Sequence, residues 1–211
     1  MMRLSNAAPD PTLYEYLQIS ALSDALSIVD ARNTLMKYFL DETTATHIWW
    51  IDTDMGFAAD TVQRLLDANK DVIGALTRRM NRIEHDNLGG YKTESQIVAY
   101  DMLVNHDEPD YQDINGNAIA YFSSKHDLDL ESQEPIQVAG TGTGCLLVSR
   151  EAAEKVRATY GDTWFDLVRY NTRKKMVLSE DLSLCYRLAT VGISIWVHPQ
   201  VKTNHQKTVW I

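Results

Sequence analysis

The sequence has little cysteine and an excess of acid over base, and both features narrow what the protein can be. Its 211 residues include 2 cysteines, 5 prolines and 10 glycines, with 20 basic and 29 acidic residues. Cys145 and Cys185 stand apart, without a Cys-x-x-Cys motif or a Cys/His cluster. That spacing argues against a disulfide framework and against a structural zinc site. Both cysteines lie among apolar residues and are predicted to be buried thiols.

Long apolar runs and targeting signals are also missing. No segment approaches the roughly 18 uninterrupted apolar residues of a membrane helix. Residues 1–11 carry one arginine but no apolar run after it, so no signal peptide is visible. We therefore expect a cytoplasmic protein without a membrane span.

The net charge of −9 bears on the class of ligand. It argues against a protein that holds duplex DNA or RNA mainly by charge, although a local basic site remains compatible with it. An anionic ligand would need a group that neutralises it.

The remaining composition is that of an ordinary globular protein, with 45% hydrophobic and 23% charged residues. These values, and the lack of repeats or low-complexity tracts, exclude a disordered tail, a collagenous repeat and a coiled coil. The length fits one domain, residues 1–211.

Hydrophobic periodicity predicts an α/β fold with a mostly parallel central sheet and flanking helices. Residues 25–77 read as strand, helix, strand, helix, strand, an alternation typical of crossover connections. The predicted elements, after a short helix at 12–22, are a strand at 25–29, a helix capped by Asp30 and ending near 41–44, a strand at His47–Ile51, a helix capped by Asp60 and Gln63, and a strand at Val72–Leu76.

The rest of the chain divides into a polar middle and an ordered last third. Residues 77–134 read as loops and short antiparallel strands, with Asn115-Gly116 as a hairpin turn. The last third predicts a strand at 145–148, a helix capped by Ser149, a helix capped by Ser179 and ended by Gly192, and a strand at 193–197 followed by a polar tail containing His205.

Two carboxylates, Asp52 and Asp54, follow the apolar strand His47–Ile51 directly. In open α/β sheets, ligands bind beyond the carboxyl ends of the strands, and hard carboxylate oxygens suit Mg²⁺ or Mn²⁺. Such a cation would in turn hold a phosphate. A solvated Asp-Thr-Asp turn explains the same residues equally well, so both interpretations stay open here.

At this point the chain resembles the GT-A-fold glycosyltransferases, in particular compact family-2-like bacterial and phage-encoded members. The similar segments, in order, are Ala31-Arg-Asn, the DxD segment Asp52-Thr-Asp54, Ile73-Gly-Ala-Leu with Arg78-Arg79, the glycine-rich stretch 138–150, Ser179-Glu-Asp, and residues 192–201 with His205. This resemblance covers roughly residues 25–207. It implies donor and metal binding by 25–77, variable loops and a hairpin over 78–137, and acceptor and catalytic functions in 138–211.

The resemblance also implies roles for single residues. Asp54 would bind Mn²⁺ or Mg²⁺, Asp52 would contact the ribose or share the metal, and His205 would supply a further ligand. In inverting relatives the second acid of the Glu180-Asp181 pair accepts the proton of the acceptor hydroxyl, which here is Asp181. Arg32, Arg78 and Gly142 would contact the nucleotide sugar.

Each of these residues also has a purely structural interpretation. Glu180 and Asp181 favourably meet the dipole of the helix that they begin, and Arg32 at a helix start would find a partner in either Asp30 or a nucleotide. Arg78 and Arg79 also fit a solvated turn. His205 also fits a surface histidine, and His198 competes with it as a ligand. The alternate glycines over 140–144 stay open as well, and Trp164 with Phe165 fit core residues as well as a stacking pair.

Relatives of this family begin with a strand that helps to hold the nucleobase, and residues 1–24 do not read as one. We therefore expect a GT-A fold in which the first strand is lacking or degenerate. The expected donor is a UDP-sugar, and the acceptor is an unidentified glycan, protein or modified nucleobase. The alternatives are a nucleotidyltransferase and an inactive nucleotide- or carbohydrate-binding module of the same fold.

Overall fold

The computed structural model describes residues 27–85, 90–107, 109–113, 115–170 and 176–205. The predicted helix at 12–22 and the question of an opening strand lie outside these residues. The helices are α1 (Ile28–Glu42), α2 (Thr61–Asp67), α3 (Arg150–Tyr160) and α4 (Glu180–Thr190), with a 3₁₀ turn at Pro109–Tyr111. The strands are β1 (His47–Ile51), β2 (Met55–Phe57), β3 (Val72–Leu76), β4 (Arg78–His85), β5 (Gly90–Ile97), β6 (Ala99–Val104), β7 (Ala120–Ser124), β8 (Ile136–Val138), β9 (Gly140–Thr141), β10 (Cys145–Ser149) and β11 (Ile195–His205).

The main sheet is mixed, which confirms an α/β fold but makes the expectation of a mostly parallel sheet wrong. Its strand order is β1-β10-β3-β11-β2, with β8 also paired to β11. Only β3 and β11 pair in parallel, while β10 lies antiparallel between β1 and β3. As a result β1, β3 and β11 still run in one direction, and their carboxyl ends meet at one end of the sheet.

Helices cover both faces of this sheet, so β3 and β10 are buried along their whole lengths. One core cluster joins α1, α3 and α4 to alternate strand residues such as Leu146 and Val148. The second cluster joins Leu65 of α2 to the intervening residues Cys145 and Leu147. Because successive side chains of a strand point to opposite faces of the sheet, β10 contributes to both core clusters.

The start of α1 differs from the sequence prediction. Ser27, not Asp30, is the N-cap: its Oγ accepts a hydrogen bond from the backbone N–H of Asp30 and donates one to the Asp30 carboxylate. This reciprocal arrangement resembles a capping box and extends the helix back over residues 28–29, where a strand was expected. Asp30 is therefore engaged by its own cap.

The other helix ends follow the sequence closely. Ser149 and Ser179 cap α3 and α4 through their hydroxyl oxygens, and Gly192 has a φ of +77° just after α4, as expected for a helix C-terminus. Asp60 precedes α2 but makes no side-chain capping bond, and Gln63 donates to Asp67 instead. The capping pair predicted there is therefore wrong.

The middle of the chain is antiparallel, as expected, but two of its strands are long. β4 and β5 form an eight-residue ladder, and β6 pairs with both β7 and β9. The predicted turn is present: Gly116 has a φ of +84°, and Tyr111 and Tyr121 stack on either side with ring centroids 3.6 Å apart.

Both cysteines are free and buried, as predicted. Burial raises the pKa of the Cys145 thiol to about 11 and that of the Cys185 thiol to about 12, so neither is a reactive thiolate at neutral pH. None of the helices in the described ranges is long and apolar enough to cross a membrane.

Candidate functional site

The candidate site lies at the end of the main sheet where β1, β3 and β11 finish. Directly after β1, the backbone N–H of Asp52 donates to the carbonyl of Gly144 at 3.1 Å. The Asp52 carbonyl then accepts a hydrogen bond from the N–H of Met55 at 3.1 Å, which closes a tight turn. Asp52 and Asp54 are both exposed on this turn, at the strand ends where open α/β sheets bind ligands.

The last strand brings a distant part of the sequence to this turn. β11 runs on to His205, so residues 198–205 of the predicted polar tail are strand instead. Its end pairs antiparallel with β2, and His205 lies opposite Met55, at a Cα separation of about 4.5–5.5 Å. The backbone of His205 therefore lies next to the turn that carries Asp54.

Arg32 connects the carboxylates of the site. Its guanidinium is nearly buried, with the side chain 9% exposed. Nη2 donates to Asp52 Oδ1 at 3.3 Å, while Nη1 donates to Glu180 Oε1 at 3.1 Å and to Asp181 Oδ1 at 2.5 Å. The planar guanidinium can serve several acceptors at once because its N–H donors form a fixed fork.

Two aromatic side chains, Phe165 and Trp50, pack beneath the guanidinium of Arg32 and support it. The guanidinium carbon of Arg32 lies 5.6 Å from the centre of the Phe165 ring, and Trp50 packs edge-on against the same ring at 5.2 Å. Asn33 holds the segment that carries Phe165 in place. Its Oδ1 accepts a hydrogen bond from the Phe165 N–H at 2.9 Å, and its Nδ2 donates one to Asp166 at 2.7 Å. The adjacent residues of α1 thus build the site and its support together.

The glycine-rich stretch lies beside the same carboxylates. A Cβ on Gly144 would stand 3.2 Å from Asp52 Oδ2, and one on Gly142 would stand 3.7 Å from Asp181 Oδ2. Between them the fully buried Thr143 donates its hydroxyl to Asp181 Oδ1 at 2.5 Å. Gly144 therefore leaves room for the Asp52 carboxylate, whereas the tightest neighbour of a Cβ on Gly142 would be Val98 Cγ1 at 3.2 Å. The expected contact of Gly142 with a donor sugar stays a prediction.

Asp181 has one oxygen held and one available. Oδ1 accepts the hydrogen bonds from Arg32 and Thr143, whereas Oδ2 accepts none from the residues that the structure describes. The side chain is 28% exposed, so the carboxylate is partly accessible to solvent. Both acids lie in the first turn of α4, where the helix dipole favours negative charge.

The remaining candidates lie at the edge of this arrangement or away from it. Arg78 begins β4, is exposed, and makes no ion pair with the described side chains; its contact with a diphosphate stays a prediction. Arg79 donates twice to Gln96. His198 lies within β11, accepts a hydrogen bond from the Gln200 N–H, and has a pKa lowered by burial.

The described side chains bear on metal binding in two ways. Among them, no group of three or more His, Cys, Asp or Glu residues is placed to hold a metal ion. The donor types fit a hard divalent cation, because Asp52 and Asp54 offer carboxylate oxygens and Asp52 Oδ2 faces the space kept open by Gly144. A cation here would need further ligands from His205 or from a bound substrate.

Three residues of the site were not assigned from the sequence. Thr143 could have been noticed as the polar residue between alternate glycines, and Asn33 as the neighbour of Arg32. Phe165 was left open as core or stacking residue, and it is both buried and the support of Arg32. Trp164 is fully buried and belongs to the core.

Comparisons with known proteins add little to this geometry. No protein-family model matches the chain, and no curated protein matches it. Among solved structures, the chain is similar to the crystal structure of A197 from STIV, with 14% sequence identity, coverage of 86% of this chain and 69% of that chain, and a TM-score of 0.46. A likeness at that level does not assign the fold or the function.

Proposed function

We propose that the chain is a metal-dependent glycosyltransferase with a GT-A fold, which moves a sugar from a nucleoside diphosphate donor to an acceptor hydroxyl with inversion. The single observation that carries the proposal is the contact of Arg32 with Asp52 and Asp181. Through it, three segments that resemble the family, and that lie far apart in the sequence, meet at the carboxyl ends of the strands, where α/β sheets bind ligands.

The position of each similar segment also supports the GT-A proposal. Ala31-Arg-Asn lies at the start of α1, the DxD segment follows β1, the glycine-rich stretch leads into β10, and Ser179-Glu-Asp begins α4. The closing strand β11 returns to the DxD turn. These four segments and β11 therefore lie on the kinds of element that the resemblance implies, whereas Arg78-Arg79, expected in a turn, begin strand β4.

The proposed metal site consists of Asp54, Asp52 and His205. The two aspartates lie on the turn after β1, and the His205 backbone lies at the end of β11. Strand β2, which follows the turn, pairs with that end of β11. A divalent ion bound there would neutralise the leaving diphosphate, which explains how a protein of net charge −9 can handle an anionic donor.

The chain's own acid–base group would be Asp181. Its Oδ2 would accept the proton of the acceptor hydroxyl as that oxygen attacks the anomeric carbon. The bond from the anomeric carbon to the phosphate oxygen breaks, and its electron pair leaves with the diphosphate. Arg32 and Thr143 hold Oδ1, so the accepting oxygen has a fixed direction.

The test is hydrolysis of UDP-, GDP- and TDP-sugars by the purified protein with and without Mn²⁺. We expect Mn²⁺-dependent hydrolysis of at least one donor, reduced about tenfold or more in Asp54→Asn. Asp67→Asn on α2 removes the same charge away from the site and should leave hydrolysis unchanged. No hydrolysis and no Mn²⁺-dependent thermal shift with any donor would contradict the proposal.

The products separate the alternatives. Release of nucleoside diphosphate and free sugar supports glycosyl transfer, whereas sugar 1-phosphate would indicate attack at phosphorus, as in a nucleotidyltransferase. Stabilisation by donor and Mn²⁺ without any turnover would instead indicate an inactive binding module.

A further inference from the structure

We propose that Arg32 is a positioning residue that couples the metal-binding half of the site to its base, acting through carboxylates and not through direct contact with the nucleotide. The inference rests on the proposed function, because it takes Asp52 as part of the metal site and Asp181 as the base. It gives Arg32 a different role from the nucleotide contact that the family resemblance implies.

The first support is that one guanidinium serves both halves. Nη2 bonds Asp52 on the turn after β1, and Nη1 bonds Glu180 and Asp181 at the start of α4. The DxD turn and α4 are thus joined through the Arg32 side chain. A change in the position or charge of one acid therefore alters how Arg32 is shared with the others.

The second support is that Arg32 is held in place. Its side chain is only 9% exposed, rests on the Phe165 ring at 5.6 Å, and belongs to α1. Its charge is screened by solvent less than that of a surface arginine. Because Nη1 and Nη2 already donate to three acids, we infer that Arg32 acts on a nucleotide through them.

The third support is electrostatic. A fixed cation at 3.3 Å from Asp52 Oδ1 opposes the binding of a second cation to the same carboxylate. When Asp181 loses its charge, Arg32 is shared among fewer acids and interacts more strongly with Asp52. Metal affinity at the DxD turn should therefore depend on the charge of Asp181, although Asp181 is not a proposed ligand, and part of this dependence should act through Arg32 in addition to the direct attraction between Asp181 and the cation.

The experiment is a double-mutant cycle on Mn²⁺ affinity, measured by electron paramagnetic resonance of free Mn²⁺ with UDP present. Asp181→Asn should weaken Mn²⁺ binding by about threefold to tenfold in the wild-type background. Arg32→Met alone should tighten Mn²⁺ binding by a similar factor. In the Arg32→Met background only the direct attraction between Asp181 and the cation remains, so Asp181→Asn should weaken Mn²⁺ binding by a smaller factor than in the wild-type background.

The control is Arg150→Met. Arg150 is another arginine stacked on a phenylalanine, Phe39 at 4.5 Å, but it donates to backbone carbonyls at the end of α1, including that of Thr43. Arg150→Met should lower the thermal midpoint and leave the Mn²⁺ affinity unchanged. This separates loss of stability from loss of coupling.

Two results overturn the inference alone: an equal effect of Asp181→Asn in both backgrounds, or weaker Mn²⁺ binding in Arg32→Met, while the wild type binds Mn²⁺. Lack of Mn²⁺ binding by the wild type overturns the proposed function together with this inference. If circular dichroism shows that Arg32→Met is unfolded, Arg32→Gln replaces it, because glutamine removes the charge and keeps a polar group beside the acids. With Arg32→Gln the effect of Asp181→Asn should again be smaller than in the wild-type background, and an equal effect overturns the inference.

Discussion

At the scale of single residues, the glycine before β10 sets the space available to the site. Gly144 accepts the hydrogen bond of the Asp52 N–H through its carbonyl and lies beside the carboxylate of the same residue. A Cβ there would meet Asp52 Oδ2 at 3.2 Å and Met55 Sδ at 3.7 Å. Glycine is therefore favoured at position 144 because the Asp52 side chain lies so close, and not because of the backbone conformation of Gly144.

Gly144→Ala should displace the Asp52 carboxylate by a few tenths of an ångström. We expect Mn²⁺-dependent donor hydrolysis to fall by about tenfold, since small misplacements at a reacting centre are costly, with little loss of stability. The matched variant is Gly74→Ala on β3, whose Cβ would meet its nearest neighbours at about 3.4 Å, away from the carboxylates. Equal hydrolysis by the two variants would contradict the role given to Gly144.

The sequence singles out the acids at this scale but not their partners. Asp52 and Asp54 are singled out by their position after an apolar strand, and Asp181 by its place in a segment that resembles the family. The partners of Arg32 do not, because they lie in distant segments, and the local candidate Asp30 is bonded by Ser27. Contacts between segments remote in sequence have no local pattern that would predict them.

At the scale of elements, strands with short continuous apolar runs are predicted well and their pairing is not. β1 and β3 have the predicted bounds, because runs such as Ile48-Trp-Trp-Ile are too short and too apolar for an exposed element. The apolar runs do not indicate the direction of a strand or which strand lies beside it, so the position of β10 between β1 and β3 has no signal in the sequence. β2 has three residues and pairs only with distant β11, which explains why it read as a loop.

The cap of α4 links an element to the site. Ser179→Ala removes the hydroxyl that accepts the Leu182 N–H and should lower the free energy of unfolding by about 1 kcal/mol. Because the first turn carries Asp181, we also expect slower Mn²⁺-dependent transfer or a lower Mn²⁺ affinity. Urea unfolding and Mn²⁺ titration measure the two effects.

Ser149→Ala provides the comparison for that variant. Ser149 caps α3 through the Ala152 N–H and pairs with His47 at the opposite end of β1 from Asp52. It should lower stability by a similar or larger amount and leave Mn²⁺ affinity unchanged. If the two cap variants alter Mn²⁺ affinity equally, the cap of α4 has no special connection to the site.

At the scale of the whole molecule, the fold gathers acids from remote parts of an acidic chain. The net charge is −9, and Asp52, Glu180 and Asp181 share one buried arginine. Composition argues against binding of duplex nucleic acid mainly by charge, and the placement of these acids around Arg32 shows that part of the acid excess is compensated within the site. Which acids meet depends on tertiary structure and could not be inferred from charge counts.

The return of β11 to the DxD turn is the whole-molecule feature on which the proposed function most depends. It places His205 opposite Met55, beside Asp54, and so joins the two ends of the fold in one proposed metal site. An imidazole and carboxylates together form a ligand set that Mn²⁺ accepts.

The most direct measurement is therefore Mn²⁺ binding by electron paramagnetic resonance in the presence of UDP, for the wild type, His205→Ala and His106→Ala. His106 is exposed beyond β6 and serves as the control. We predict that the wild type and His106→Ala bind Mn²⁺ equally and that His205→Ala binds it about tenfold more weakly or not at all. Equal Mn²⁺ affinity in the two histidine variants, or no binding by the wild type, would contradict the proposed metal site.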